Sequence, residues 1–268
     1  MCRVRLSLPL AVVALLVGGC GADGAETAGA DSEPRAQASG GGELTPGADP
    51  PEAALAERDG RGERSLELAT KGHPAVWVLP GERAELREEP GGEVLIRVER
   101  RTEFGSPSVF SVAERRGDWV GVTSPELANN QLGWLRLDPR VLGSGTSRFS
   151  ILVDLSDHTT TLMNDGDVVR SFAVTIGAPG SETPTGSFAV TDVFDGGLGP
   201  AYGCCAVAIS ANQPRTPSGW IGGRRIAIHG TDDTLGIDAS HGCVRASDAD
   251  VQALVDRVPL GTPVEIRQ

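Results

Sequence analysis

Positive charge is scarce in this 268-residue chain: 24 Lys and Arg stand against 36 Asp and Glu, a formal net charge of −12. That balance argues against nucleic acid as a partner and against an electrostatic grip on anionic lipid or wall polymers. Long apolar runs are missing as well, and the stretch Leu10–Val17 is too short to span a bilayer as a helix. No Gly-x-Ser-x-Gly elbow is present, so a serine nucleophile has no support. Neither a spaced Cys-x-x-Cys nor a His-Glu-x-x-His occurs, which leaves a metal centre without its usual ligand spacing. Histidine is rare too, with four in the whole chain.

What is there concentrates that scarcity. Two of the four histidines fall in Ile228-His229-Gly230-Thr231 and Ser240-His241-Gly242-Cys243-Val244-Arg245. Together these stretches offer a thiol, imidazoles for a base and backbone N–H groups for an oxyanion, the parts of thiol-based acyl transfer. A cysteine is weak as a thiol and strong as a thiolate, so histidine or peptide dipoles are expected to lower the pKa of Cys243. Gly242 lets backbone approach an acyl group, and the N–H groups of Gly242 and Cys243 are candidates to face the oxyanion. Taken alone, the same residues also fit a buried structural cysteine beside turn histidines.

Residues 1–19 read as an export leader: Arg3 and Arg5, the apolar run, then Gly18 and Gly19 before Cys20. The residues before Cys20 resemble the lipobox of bacterial lipoproteins, with Val17 where leucine is commoner. That resemblance implies cleavage before Cys20 and a lipid on its sulfur, holding the chain at the outer face of the cytoplasmic membrane. Cys204, Cys205 and Cys243 then remain, an odd number that flags a free reactive thiol in an exported chain. Adjacent strand residues point to opposite faces, so Cys204 and Cys205 are expected as two reduced thiols, not as a vicinal disulfide.

Residues 20–72 are rich in Gly, Ala, Glu, Asp and Pro and poor in aromatic and β-branched residues, the composition of a disordered tether. About 50 such residues reach roughly 40 Å by the flexible-chain relation. A short helix near 51–58 has weak support. Over 73–145, β-like runs at Ala75–Leu79, Val94–Val98, Val109–Ala113, Trp119–Val122 and Gly133–Leu137 alternate with turn residues, which predicts a small barrel or sandwich. Trp119 and Trp134 sit among alternating apolar neighbours and read as core or strand residues, not a sugar-stacking platform.

A second region, 147–268, opens with Phe149, Ile151, Val153 and Leu155 in alternation. Asn164-Asp165-Gly166 marks a hairpin between Thr161–Met163 and Val168–Phe172. Phe188–Val193, Ala206–Ser210, Arg225–Ile228 and Val264–Ile266 are further strand candidates. Ser247 with Asp250 three residues on opens one clear helix, with Val251, Leu254, Val255 and Val258 on one face and Pro259 at its end. The expected fold is mainly β: a small barrel followed by a sandwich with one or two helices.

Thr102-Glu103-Phe104-Gly105, Arg116–Val122 and Gly133-Trp134-Leu135 resemble the SH3-like domains of bacterial envelope proteins. Thr183-Pro-Thr-Gly-Ser-Phe188, Tyr202-Gly203, Ile228–Thr231 and Ser240–Arg245 occur in the order seen in L,D-transpeptidases of the YkuD type, over about residues 147–268. The lipoprotein start and SH3-like segment resemble those of actinobacterial members. The resemblance implies that Cys243 is the nucleophile, that His229 is the base that also protonates the leaving amine, and that His241 lines the site. It also implies substrate-side roles for Tyr202, Gly230, Ser240, Gly242 and Arg245. Ser240 and Gly242 would shape the loop and oxyanion hole, and Arg245 would hold either the loop or a substrate carboxylate. Thr183–Phe188 reads as a structural turn.

The implied reaction crosslinks peptidoglycan stem peptides without metal or cofactor. Cys243 attacks the carbonyl after meso-diaminopimelate in a tetrapeptide stem, expels D-Ala, and passes the acyl group to an amine of a neighbouring stem. Carbapenems are expected to acylate the same cysteine. The alternatives are an L,D-carboxypeptidase and a non-catalytic wall-binding lipoprotein. His229 and Ser240 lie 11 residues apart, slightly fewer than in many relatives, which implies a trimmed loop and a more open mouth.

Overall fold

The computed structural model describes residues 42–43, 66, 68, 71–216 and 223–268. The leader, Cys20 and the 51–58 segment lie outside the described residues. The described chain is mainly β. Its first eight strands are β1 (Gly42–Glu43), β2 (His73–Val78), β3 (Ala84–Arg87), β4 (Val94–Val98), β5 (Val109–Arg116), β6 (Trp119–Val122), β7 (Gly133–Arg136) and β8 (Leu142–Ser147). They form one sheet in the order β1-β8-β2-β5-β6-β7-β3-β4, around a core that includes Val76, Leu86, Phe110, Val120, Leu135 and Leu142. Trp134 is buried on β7 with the Arg116 guanidinium 4.4 Å over its ring, and Trp119 is half-buried on β6.

The tether reading needs correction at two points. Gly42–Glu43 pairs in parallel with Gly145–Thr146, and Leu66 and Leu68 pack against the first core. Backbone pairing requires no apolar side chain, and the Leu66-Glu67-Leu68 alternation is masked by the polar composition around it.

The remaining elements are β9 (Phe149–Asp154), β10 (Thr159–Asn164), β11 (Asp167–Ala173), β12 (Ile176–Gly177), β13 (Gly186–Phe194), β14 (Ala206–Asn212), β15 (Arg225–Thr231), β16 (Asp238–Ser240), β17 (Val244–Ser247), α1 (Asp248–Val255) and β18 (Pro263–Arg267). A second eight-stranded sheet runs β11-β10-β9-β18-β13-β14-β15-β17, and β12 and β16 form a separate parallel pair. The β10–β11 hairpin turns at Asp165 (φ 51°) and Gly166 (φ 89°), the two positive values that a tight I′ turn requires. Ser247 caps α1 by accepting from the Asp250 N–H at 3.3 Å, and Asp248 and Asp250 in the first turn suit the helix dipole. The helix buries Val251, Leu254 and Val255 in a core shared with Ile209, Ile228 and Val244.

Both sheets belong to one compact unit, Ala38–Gln268. Leu260 packs on Ala75, Trp77, Leu79 and Val109. Thr123 and Ser210 hydroxyls meet at 3.0 Å, and the Asn129 side-chain amide exchanges two hydrogen bonds with the Asn212 backbone, at 2.7 and 2.8 Å. These contacts fix the end of β14, next to the strands that carry the site.

Candidate active site

Parallel pairing of β15 with β17 sets Ile228 opposite Val244 and His229 opposite Arg245. Side chains alternate along a strand, so Ile228 and Val244, both fully buried, enter the core. His229 and Arg245 then share the other face with Cys243, and all three line one cleft of about 90 Å³ together with Tyr202, Gln213, Arg224, Arg225 and His241.

His229 is only 4% exposed, and its Nδ1 lies 2.9 Å from the Gly230 carbonyl. A carbonyl accepts only, so Nδ1 carries the proton and Nε2 keeps its lone pair. The Tyr202 ring meets the imidazole edge-on, with centroids 5.0 Å apart. Burial holds the His229 pKa below its usual 6.5; the bond to Gly230 works against that shift and the Arg245 charge adds to it.

Cys243 is a half-buried free thiol. Burial pushes its pKa above the usual 9.0, against smaller opposing effects from a backbone hydrogen bond at Ala227 and the charge of Arg245. The expectation of a lowered thiol pKa is therefore overturned, because desolvation outweighs both stabilising neighbours. Both shifts favour the uncharged forms, a thiol and a neutral imidazole, in the cleft that the two residues line. The thiol needs a base at the moment of attack.

The loop from Ser240 to Cys243 is held through its carbonyls. Ser240 O accepts from Ala178 N–H (2.8 Å) and Ser181 Oγ (3.1 Å), and His241 O accepts from Gln213 Nε2 (2.9 Å). Gly242 O accepts from Thr183 Oγ1 (2.9 Å), and Cys243 O accepts from Ser240 Oγ (2.5 Å). The Ser240 hydroxyl also accepts the Gly242 N–H at 3.1 Å. That N–H is already used, which removes it as an oxyanion donor and corrects the expectation stated for it. Arg245 donates to Asp233 at 3.0 Å and exchanges two 2.8 Å backbone bonds with Thr175.

The family model of the YkuD L,D-transpeptidase catalytic domain matches residues 148–266. The candidate L,D-transpeptidase YqjB of Bacillus subtilis is 30% identical over 127 residues, 43% of this chain and 69% of that protein. The chain belongs to the L,D-transpeptidase family. A second candidate L,D-transpeptidase of Bacillus subtilis, YkuD, is 28% identical over 125 residues, 46% of this chain and 68% of that one. Among solved structures, an L,D-transpeptidase from Mycobacterium tuberculosis is similar at 19% identity, over 85% of this chain and 94% of that one, with a TM-score of 0.42.

In this L,D-transpeptidase-family chain, Cys243, His229, His241, Tyr202 and Arg245 come together at the cleft. Gly230, Ser240 and Gly242 are buried behind its lining, where Gly230 orients His229 and the other two shape the loop. Arg245 is anchored by Asp233, with its charge beside both His229 and Cys243. Thr183 is a structural pin: its hydroxyl accepts the Gly177 N–H at 2.9 Å while donating to Gly242 O, and Gly186–Phe188 of the expected turn instead begin β13.

Cys204 and Cys205 are joined in a disulfide, which overturns the expectation of two reduced thiols. They occupy the turn after the Pro200–Tyr202 3₁₀ segment, before β14 begins at Ala206, so strand alternation does not separate them. The Cys204 N–H donates to Asp248 Oδ1 at 3.0 Å and Cys205 O accepts from the Gly230 N–H at 3.1 Å, tying this turn to the strand of His229. Gln213 escaped the reading of the sequence altogether. It lies 28 residues from His241 and belongs to no local pattern, so only the fold brings the two together.

Proposed function

We propose that this chain is a peptidoglycan L,D-transpeptidase that works through a thioester on Cys243. The observation that carries the reading is the 2.9 Å contact of His229 Nδ1 with the Gly230 carbonyl: a carbonyl only accepts, so Nε2 is the basic nitrogen in the cleft that Cys243 also lines. His229 Nε2 takes the thiol proton as sulfur attacks the carbonyl carbon after meso-diaminopimelate in a tetrapeptide stem. The tetrahedral oxyanion collapses to a thioester, and His229 returns the proton to the leaving D-Ala amine. An amine of a neighbouring stem then attacks the thioester, gives up a proton to His229, and leaves the crosslink with the thiol restored. Arg245 lends positive charge that favours the departing thiol proton. No metal or cofactor enters these steps.

We also infer the surroundings of this chemistry: a leader over 1–19, a lipid on Cys20, an SH3-like domain over 73–145 and a catalytic domain over 147–268. The composition of the leader and the short β runs of 73–145 support that arrangement. It would hold the cleft at the outer face of the cytoplasmic membrane, opposite the wall.

The test is incubation with a defined tetrapeptide stem, followed by mass analysis of protein and products. The expected result is an acyl adduct on the Cys243 peptide, free D-Ala and crosslinked dimer. Shortened stems without dimer would replace transfer with hydrolysis by water. A carbapenem should leave a covalent adduct on the wild type and none on Cys243→Ala; an adduct of equal yield on that variant would remove Cys243 as nucleophile.

A further inference from the structure

Gln213 follows β14 directly, and its main chain is fixed on both sides. Its N–H donates to the Arg224 carbonyl at 2.7 Å, and the preceding residue, Asn212, is clamped by Asn129. From that base the side chain, only 5% exposed, reaches into the back of the nucleophile loop. Its Nε2 donates to the His241 carbonyl at 2.9 Å and lies 3.1 and 3.3 Å from the carbonyls of Ser181 and Glu182. The amide fills the space beside position 242 so completely that a Cβ there would sit 2.1 Å from Nε2.

A peptide unit is planar, so the C=O of one residue and the N–H of the next point in opposite directions. By gripping the His241 carbonyl, Gln213 turns the Gly242 N–H to the far side, where the Ser240 hydroxyl accepts it. The next plane is set the same way: Thr183 holds the Gly242 carbonyl, which turns the Cys243 N–H away from Thr183. Among the described residues, none of the contacts that hold the loop claims the Cys243 N–H.

We propose that Gln213 is a positioning residue for acyl transfer: by holding the His241–Gly242 peptide it works with Thr183, which holds the next peptide, to aim the Cys243 N–H at the developing oxyanion beside its own sulfur. The proposal rests on the thioester chemistry given above and not on the identity of the stem. An oxyanion donor works by being aimed before the reaction starts, so a residue that only aims it still governs the rate.

The test compares the wild-type full chain with Gln213→Met, which keeps the length and loses the donor, and with Gln213→Glu, which turns acceptor oxygens toward three carbonyls. Two probes are read at the Cys243 peptide by mass. Iodoacetamide alkylates the sulfur with loss of iodide and forms no oxyanion. A p-nitrophenyl ester acylates the same sulfur through a tetrahedral oxyanion and releases p-nitrophenolate. Alkylation of the variants is expected within about twofold of wild type at each pH, and acylation by the ester at least about 30-fold slower, below the loss seen when a donor is removed outright. Ester acylation of Gln213→Met at the wild-type rate would overturn the proposal. So would an equal fall in both reactions, because that is the mark of a merely structural residue. Wild-type protein that takes the ester but not the tetrapeptide would overturn the peptidoglycan reading alone, with the Gln213 comparison still standing.

Discussion

A side chain at position 242 would meet two penalties at once. The backbone there has φ +115°, and a Cβ would lie 2.1 Å from the Gln213 amide and 3.1 Å from Ile226. Gly242→Ala should therefore cost roughly 2–5 kcal/mol from backbone strain and overpacking, measured by urea denaturation. A loss under about 1 kcal/mol would mean that Gln213 moves aside freely and does not hold the loop. The titrating groups of the site make a second prediction at this scale. Burial lowers the pKa of His229 below 6.5, so the neutral imidazole required as a base persists to more acid pH. The acid limb of kcat/KM for acylation should fall below pH 6.5. The unfolded chain binds that proton first, so the stability contributed by buried neutral His229 is present above pH 6.5 and is lost as pH falls below it. An acid limb at or above 6.5 would show that burial does not control the base. Cys243 shifts the other way, above 9.0, so no alkaline rise from a preformed thiolate is expected in the neutral range.

The start of α1 agrees with the sequence because it is written in local chemistry, whereas the helix ends at Val255, before the expected Val258 and Pro259. Ser247 accepts the Asp250 N–H, and Asp250 pairs with Arg170 at 2.6 Å. Ser247→Ala should cost about 1 kcal/mol in a denaturant titration, the usual worth of a side-chain cap. No measurable loss would mean that Asp248 and Asp250 hold the first turn unaided. Elements without such local chemistry were invisible. Ala84-Glu85-Leu86-Arg87 consists of good helix formers, yet it forms β3 because Ala84 and Leu86 enter the first core. Leu142–Ser147 is mostly Gly and Ser with Thr146 its one β-branched residue, yet it pairs with β2 as β8, and Gly143 is needed because the Trp77 ring lies 2.4 Å from where a Cβ would stand. Val244–Ser247 reads as the tail of a loop motif; its pairing with β15 is what carries Arg245 to His229. The site behaves similarly. Cys243, His229 and His241 were legible because they share a compact motif, whereas Gln213 and the Asp233 anchor depend on contacts between distant segments.

Across the whole molecule, one of the joints between the two sheets is built around Arg225. This residue begins β15, four positions before His229, and its side chain is almost buried. It donates to Glu103 at 2.7 Å and to Asp192 at 3.2 Å, and also reaches Thr191 and the Ile209 carbonyl. Glu103 belongs to the loop between β4 and β5, and Thr102 of that loop donates to Asp192 in turn. Phe104 completes the joint: it lies under the Arg225 guanidinium at 5.6 Å and meets Phe194 edge-on at 5.4 Å. The pair to Glu103, whose side chain is 49% exposed, is worth little by itself. The pair to Asp192, which is wholly buried, is different, since removing one partner strands a charge in the interior. Arg225→Met should therefore destabilise the chain by about 3–5 kcal/mol. Adding Asp192→Asn removes the stranded charge while Thr102 still finds an acceptor, so the double variant should recover at least about 1 kcal/mol of that loss. Equal stability of the single and double variants would show that the buried pair of Arg225 and Asp192 does not carry this cost. The same double variant separates folding from function. If stability returns while acylation of Cys243 stays low, the loss belongs to Arg225 as part of the cleft lining and not to the fold.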